Sequence, residues 1–154
     1  MTTDMMAVGE HNKARWRALQ DTLNRGDFDA MDDFFHPDFE YSNPSRPDLT
    51  GYAAWKQSPM ANYRIFSPST YSVKRMVADG KDVWALCNQT GTHSSSLYMG
   101  VEPTGRSFDI DWVSIISFCD GKIIKIVSIA DVLGKFVQLG VLNKDLTPIN
   151  PYDR

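Results

Sequence analysis

Two cysteines, no cluster of basic residues and no long apolar run set the first limits on this 154-residue chain. Cys87 and Cys119 fall in separate β-like apolar stretches. Two such residues cannot staple a disulfide-dense secreted scaffold, so reduced thiols are expected. The longest apolar run, around Ile123 to Ala130, is interrupted by Lys125 and Ser128, and nothing approaches the length of a membrane span. The net charge is −3, and no lysine or arginine stripe offers electrostatic support for nucleic acid or an anionic membrane. His11, His36 and His93 are far apart, with no Cys or Glu at ligand spacing, so there is no metal-site pattern. The opening, Met1 to Lys13, lacks the basic start and apolar core of a secretory signal, and a cytoplasmic location is the expectation. The sequon Asn88-Gln89-Thr90 is accordingly read as chance.

What the chain does carry is aromatic content, 12% of its residues, enough to fill a core and to line a cavity for a flat organic ligand. From Val8 to Asn24, Trp16, Leu19 and Leu23 recur at helical spacing, and Gly26 supplies a stop. A second, short helix is expected over Phe28 to Phe35, ended by His36-Pro37, because proline disfavours a helical residue before it. Phe39 to Ser42 reads as a brief strand. A third helix begins near Gly51, carries Tyr52 and Trp55, and is ended or kinked at Pro59, with Met60 to Phe66 resuming it.

After Pro68 the pattern turns to strands: Tyr71–Ala78, Asp82–His93, Phe108–Cys119 and Lys122–Ala130. Asp79-Gly80, Pro103-Thr104-Gly105 and Asp120-Gly121 separate them as turns. A closing helix, Val132 to Leu139, is capped by Gly140. Helices followed by consecutive strands are the mark of an α+β domain. Residues 1–144 form that domain, and the polar, proline-bearing tail 145–154 is expected to be loosely held.

One ordered series is more specific: Gly91-Thr92-His93, Gly100 to Arg106 with Pro103 and Gly105, Asp120-Gly121-Lys122-Ile123, Asp131, and Gln138-Leu139-Gly140. It resembles the C-terminal half of the SnoaL-like polyketide cyclases, within the nuclear-transport-factor-2-like superfamily. His36-Pro37-Asp38-Phe39 and Asn43-Pro44 agree with the usual opening. The resemblance implies a cone-shaped α+β barrel, a curved antiparallel sheet wrapped around a long N-terminal helix, with an apolar pocket at the open end. It also implies intramolecular aldol condensation without metal or organic cofactor, a hydrophobic carbonyl-bearing substrate, and a homodimer. The family's acid/base aspartate matches Asp131.

The residues can be weighed beside that resemblance. Aldol ring closure needs a base next to a carbonyl and a donor for the oxygen left behind, and a carbon between two carbonyls is acidic enough for a carboxylate. Val127, Ile129 and Asp131 share one strand parity, and burial among them would improve Asp131 as a base. Asp131 also stands where an aspartate caps the closing helix. His93 can donate to a substrate oxygen, hold Asp131, or serve as a structural hydrogen-bonder. One face of the strand over Phe108–Cys119 carries Trp112 and Ser114, and the other carries Asp109 and Asp111. Whichever lines the cone supplies ligand contacts, so Trp112, Ser114 and Asp111 are all candidates. Trp16, Trp55 and Tyr63, with Tyr52, lie on helices that would roof the cone; one or two of them are expected to reach a ligand. Asn43 can bond a substrate carbonyl or close an Asx turn. Relatives carry tryptophan or a charge where Val127 stands, so a greasier pocket is expected. An isomerase or dehydratase acting on a steroid- or terpenoid-like molecule, and a non-catalytic binding or dimerisation domain, are the alternatives.

Overall fold

A computed structural model describes residues 2–149. Helix α1 spans Thr2–Arg25, longer than its apolar periodicity required, and Gly26 ends it with φ 68°, a left-handed conformation that favours glycine. Trp16, Leu19 and Leu23 are buried on one stripe of α1. Each contributes about 2–3 kcal/mol of apolar burial against the sheet. At the end of α1 the Asn24 side chain clamps the sheet. Its Nδ2 donates to the Tyr71 carbonyl at 2.8 Å and its Oδ1 accepts the Tyr71 amide at 2.7 Å.

The expected second helix is only a 3-10 turn, Ala30–Phe34, and strand β1 then runs Phe35–Ser42. Phe35 is buried at the head of that strand, stacked near Phe39, Tyr52 and Trp55. Tertiary packing of one ring cluster overrides the local helical pattern. Helix α2, Gly51–Ile65, is also continuous through Pro59, so the expected break is absent.

Strands β2 (Phe66–Asp79), β3 (Asp82–His93), β4 (Ser107–Cys119) and β5 (Lys122–Ala130) complete the sheet. Its order is β1-β5-β4-β3-β2. All neighbours are antiparallel except β1 and β5, which run parallel. Strand β2 begins five residues earlier than its alternation predicts, because Phe66 and Ser69 pair with His93 and Gly91. Helix α3, Val132–Gln138, closes the chain, and Gly140 follows with φ 75°. In the tail, Pro148 bridges back to Leu142; 150–154 lie outside the described residues.

Alternation along β3 and β4 assigns the two sheet faces. Val83, Ala85, Cys87, Gln89 and His93 are buried, as are Phe108, Ile110, Ser114, Ile116 and Phe118. The opposite face leaves Trp84, Leu86 and Val113 exposed. The molecule is therefore an α+β cone: a curved five-stranded sheet holding α1 in its concavity, with α2 and α3 at its mouth. Among the described residues no helix is long and apolar enough to cross a membrane.

Candidate functional site

A cavity of about 170 Å³ opens between the sheet and the elements over its mouth. That is close to the room that holds a single benzene ring in a protein interior. Strands β4 and β5 supply its floor through Ile110, Trp112, Ser128 and Ala130, and β2 and β3 supply Tyr71 and Gln89. Tyr41 and the loop residues Asn43 and Arg46 form one side, Ser58 and Asn62 of α2 another, and Tyr98 and Met99 a third. Val132 and Lys135 of α3 complete the wall.

The floor is held by a short polar chain. Trp112 Nε1 donates to Ser114 Oγ at 3.1 Å, and Ser114 Oγ shares a hydrogen bond of 2.7 Å with Ser128 Oγ. The Trp112 ring meets Tyr71 edge-on at 5.8 Å. The Tyr71 hydroxyl accepts from Gln89 Nε2 at 3.2 Å and Asn62 Nδ2 at 3.4 Å. Burial pushes that phenol up to about 12, so it stays a neutral hydrogen-bonding group. On the rim, Asn43 Nδ2 donates to the Tyr41 hydroxyl at 3.0 Å while Asn43 Oδ1 accepts the Ser45 amide at 2.9 Å, an Asx turn. Arg46 forms a two-pronged pair with Asp48 at 3.0 and 2.8 Å, which raises the pKa of its guanidinium.

Lys135 is the least expected member of this wall. It is 4% exposed, and its Nζ stands over three rings: Phe66 and Phe108 at 4.0 Å and Tyr98 at 4.7 Å from the ring centres. Among the described residues no carboxylate pairs with it, whereas Lys13, Lys56, Lys74 and Lys125 each have one. Burial lowers its pKa from the ordinary 10.5 to about 7, since the ring faces attract an ammonium but cannot replace its water.

The face of β4 that lines the cone carries Trp112 and Ser114. Trp112 and Asn43 reach the cavity wall; Ser114 is fully buried behind it. Asp111 lies on the outer face, where its carboxylate meets Lys74 Nζ at 2.5 Å and Asn88 Nδ2 at 2.9 Å, and Lys74 holds its pKa low. Trp16 is in the core, its Nε1 3.5 Å from Cys87 Sγ. Trp55 is packed among Phe35, Phe39 and Tyr41. Tyr63 is 43% exposed, edge-on to Phe28 at 5.5 Å. None of these three helical aromatics lines the cavity.

His93 is fully buried beside Phe66 and Tyr98, outside the cavity wall. Its Nε2 is 2.9 Å from the Ser96 carbonyl, and its Nδ1 has no partner. A carbonyl only accepts, so Nε2 carries the proton and His93 ties strand β3 to the loop after it. Val127 and Ile129 do share parity, but theirs is the outer face: Ile129 is 64% exposed, whereas Ser128 and Ala130 face the cavity. The expected apolar enclosure of Asp131 is therefore absent, and Asp131 is exposed. It is the N-cap of α3, its Oδ1 accepting the Gly134 amide at 2.8 Å. Its neighbours in sequence, Ala130 and Val132, both line the cavity, whereas Asp131 itself is not among the lining residues.

Sequence reasoning missed Lys135, Tyr71, Gln89, Asn62, Tyr98 and Arg46. Two signals were available. Gln89 has the inward parity of Cys87, and Lys135 precedes Leu139 by one helical turn on the apolar side of α3. Among the described residues no group of three or more His, Cys, Asp or Glu is placed to hold a metal ion.

Residues 13–139 match the profile of a family described as SnoaL-like polyketide cyclase. Several solved structures share the fold. AclR from Streptomyces galilaeus, provisionally assigned as a hydroxylase, is 23% identical, with a TM-score of 0.78 over 87% of this chain and 98% of its own. IdmH from Streptomyces antibioticus, provisionally assigned as a polyketide cyclase, is 26% identical, with a TM-score of 0.73 over 84% and 99%. A SnoaL-like polyketide cyclase from Agrobacterium tumefaciens is 21% identical, with a TM-score of 0.69 over 84% and 98%. No curated protein matches the chain.

Proposed function

The chain belongs to the SnoaL-like polyketide cyclase family, and we propose that it closes a ring in a small, largely apolar carbonyl compound by intramolecular aldol condensation. The observation that carries this reading is the cavity itself. Its floor is aromatic and aliphatic, while Asn43, Arg46, Asn62, Gln89 and Tyr71 bring hydrogen-bond donors to its walls. Such a wall suits a molecule of alternating apolar carbon and carbonyl oxygen. The volume of about 170 Å³ seats one ring-sized portion, so the remainder of a longer chain would extend through the mouth.

Asp131 is proposed as the acid/base at that mouth. Its Oδ1 is engaged by the Gly134 amide, and its Oδ2 accepts no hydrogen bond from the described residues. A carboxylate suffices as the base for a carbon flanked by two carbonyls. The proton moves to Oδ2, the resulting enolate attacks the second carbonyl carbon, and the alkoxide recovers a proton. A hydrogen bond from the rim to the forming alkoxide lowers the barrier most if it strengthens as charge develops. No step requires a metal or an organic cofactor.

The cap supports a second reading, a small-molecule binding domain in which Asp131 only starts α3. Comparing Asp131→Asn with wild type separates the two, because asparagine caps a helix about as well as aspartate but cannot take the proton. Folding stability and turnover of a panel of short polyketones are measured. Retained stability with ring closure lost supports the enzyme, and equal turnover removes Asp131 from the mechanism. Product analysis then separates ring closure from double-bond migration or loss of water.

We further propose, by analogy with the family, that two copies pair through the outer sheet face. Val77, Trp84, Leu86, Val113 and Ile129 are all exposed there, an apolar patch of the kind that marks an interface.

A further inference from the structure

We propose that Lys135 is a carbonyl-capturing nucleophile, whose amine condenses with a substrate carbonyl inside the cavity to form an imine. The inference rests on the reading of a carbonyl-bearing substrate, and it assigns part of the chemistry to a residue other than Asp131.

Three geometric observations carry it. Lys135 is part of the cavity wall, so a bound ligand meets it. Its Nζ is flanked by the rings of Phe66, Phe108 and Tyr98, while the residue as a whole is 4% exposed. It has no counter-charge among the described residues, whereas four other lysines do. A lysine ordinarily lays its stem along apolar surface and keeps its head in water, whereas this one ends among rings. Desolvation in an apolar pocket is one established way to keep an amine unprotonated and nucleophilic near neutral pH, and the lowered pKa of Lys135 agrees. The charged and titratable groups around it are consistent with this state. Tyr98 shares the ring box and is raised by its own burial. His93 lies behind Phe66 and Tyr98, and Arg46 on the cavity wall is paired with Asp48. Asp131, one helical turn back, points its Oδ1 at Gly134.

The step balances without oxidant or reductant. The Nζ lone pair adds to the carbonyl carbon to give a carbinolamine. The hydroxyl and one amine proton depart as water, and the imine nitrogen takes up a proton. The iminium draws electron density from the neighbouring carbon, whose proton then leaves more readily than from the parent ketone. The enamine carbon attacks the second carbonyl to form the ring bond, and water hydrolyses the iminium to return the amine.

The test uses the full chain and acetylacetone, a 1,3-diketone small enough for the cavity. An amine converts it to a stable enaminone with loss of one water. Peptide mass mapping after a short incubation is expected to place one adduct per chain, the mass of the diketone less water, on Lys135. The exposed lysines are expected to lag by about 10²-fold or more, since they are protonated at neutral pH. Lys135→Met and Lys135→Arg should both lose the adduct, and ring closure should fall by about 10²-fold or more. Labelling spread evenly over the exposed lysines, or no adduct at Lys135, overturns the inference whether or not the variants fold. Ring closure at the wild-type rate in Lys135→Met also overturns it and leaves the cyclase reading standing. An adduct on Lys135 in a protein that closes no ring keeps the captured carbonyl and removes the cyclase reading.

Discussion

The Lys135 amine lies 4.0 Å from the centre of the Phe108 ring, on the inward face of strand β4. That contact joins the closing helix to the sheet at the cavity wall. It also buries an amine with no carboxylate beside it among the described residues, and that burial makes folding stability depend on pH.

Lys135 has a folded pKa of about 7 against 10.5 for the free side chain. Between those values the unfolded chain holds a proton that the folded one lacks, so this group makes stability rise with pH. Below about 7 both states are protonated and its contribution is flat at its least favourable. That lowering sets a ceiling of roughly 5 kcal/mol. Tyr71 and Tyr98 are raised, so they stay neutral in the folded state across this window. Urea unfolding of wild type from pH 7.5 to 9 should show stability increasing with pH, and Lys135→Met should flatten that slope. Lys135→Met should also gain about 1–3 kcal/mol at pH 7, because methionine fills the ring box with no ammonium to desolvate. Parallel slopes for the two proteins would contradict this.

Gly91 is packed against the same box. A Cβ there would lie 2.9 Å from the Phe108 ring and 3.0 Å from Phe66 Cβ. Gly91→Ala must displace the Phe108 ring and crowd Phe66 at its Cβ, and overpacking of this kind costs about 1–3 kcal/mol. The expected outcome is a lower unfolding midpoint together with slower acetylacetone capture at Lys135. Unchanged capture would show that the box tolerates displaced rings.

Asp131→Ala and Asp131→Asn should part company in stability. Alanine removes the acceptor for the Gly134 amide, at a cost of about 1 kcal/mol, whereas asparagine keeps it to within a few tenths. Chemical denaturation of the two variants measures the difference directly. Equal losses would mean that the charge, and not the hydrogen bond, starts α3.

Trp84 is half exposed in the outer apolar patch. Trp84→Arg should leave the fold intact and convert the proposed dimer to a monomer in sedimentation velocity. A wild-type monomer, or a variant that still dimerises, would locate any partner elsewhere.

Much of this fold was legible in the residues. The limits of β3 and β5 follow from alternation and from the Asp79-Gly80 and Asp120-Gly121 turns. What was not legible came from pairing and packing. Serines and Pro68 hide the start of β2, which exists because His93 and Gly91 pair across from it. Pro59 interrupts no more than its own missing amide, because α2 is held to the sheet on a buried side that includes Trp55. The site was the harder part. The parity of Val127, Ile129 and Asp131 was readable, but which parity faces inward depends on the whole sheet. Helical aromatics such as Trp16 and Trp55 went to the core, while Tyr71, Asn62 and Gln89 meet only after β2, β3 and α2 assemble. A lysine in a short helix reads as solvated until the loop bearing Tyr98 is folded over it.

The most direct measurement follows a short linear polyketone, incubated with the protein and in buffer alone, by mass spectrometry and carbon NMR. Ring closure is expected faster than in buffer by several powers of ten, with a new carbon–carbon bond and a product isomeric with the substrate or lighter by one water. Tight binding of the polyketone with closure at the buffer rate would contradict it.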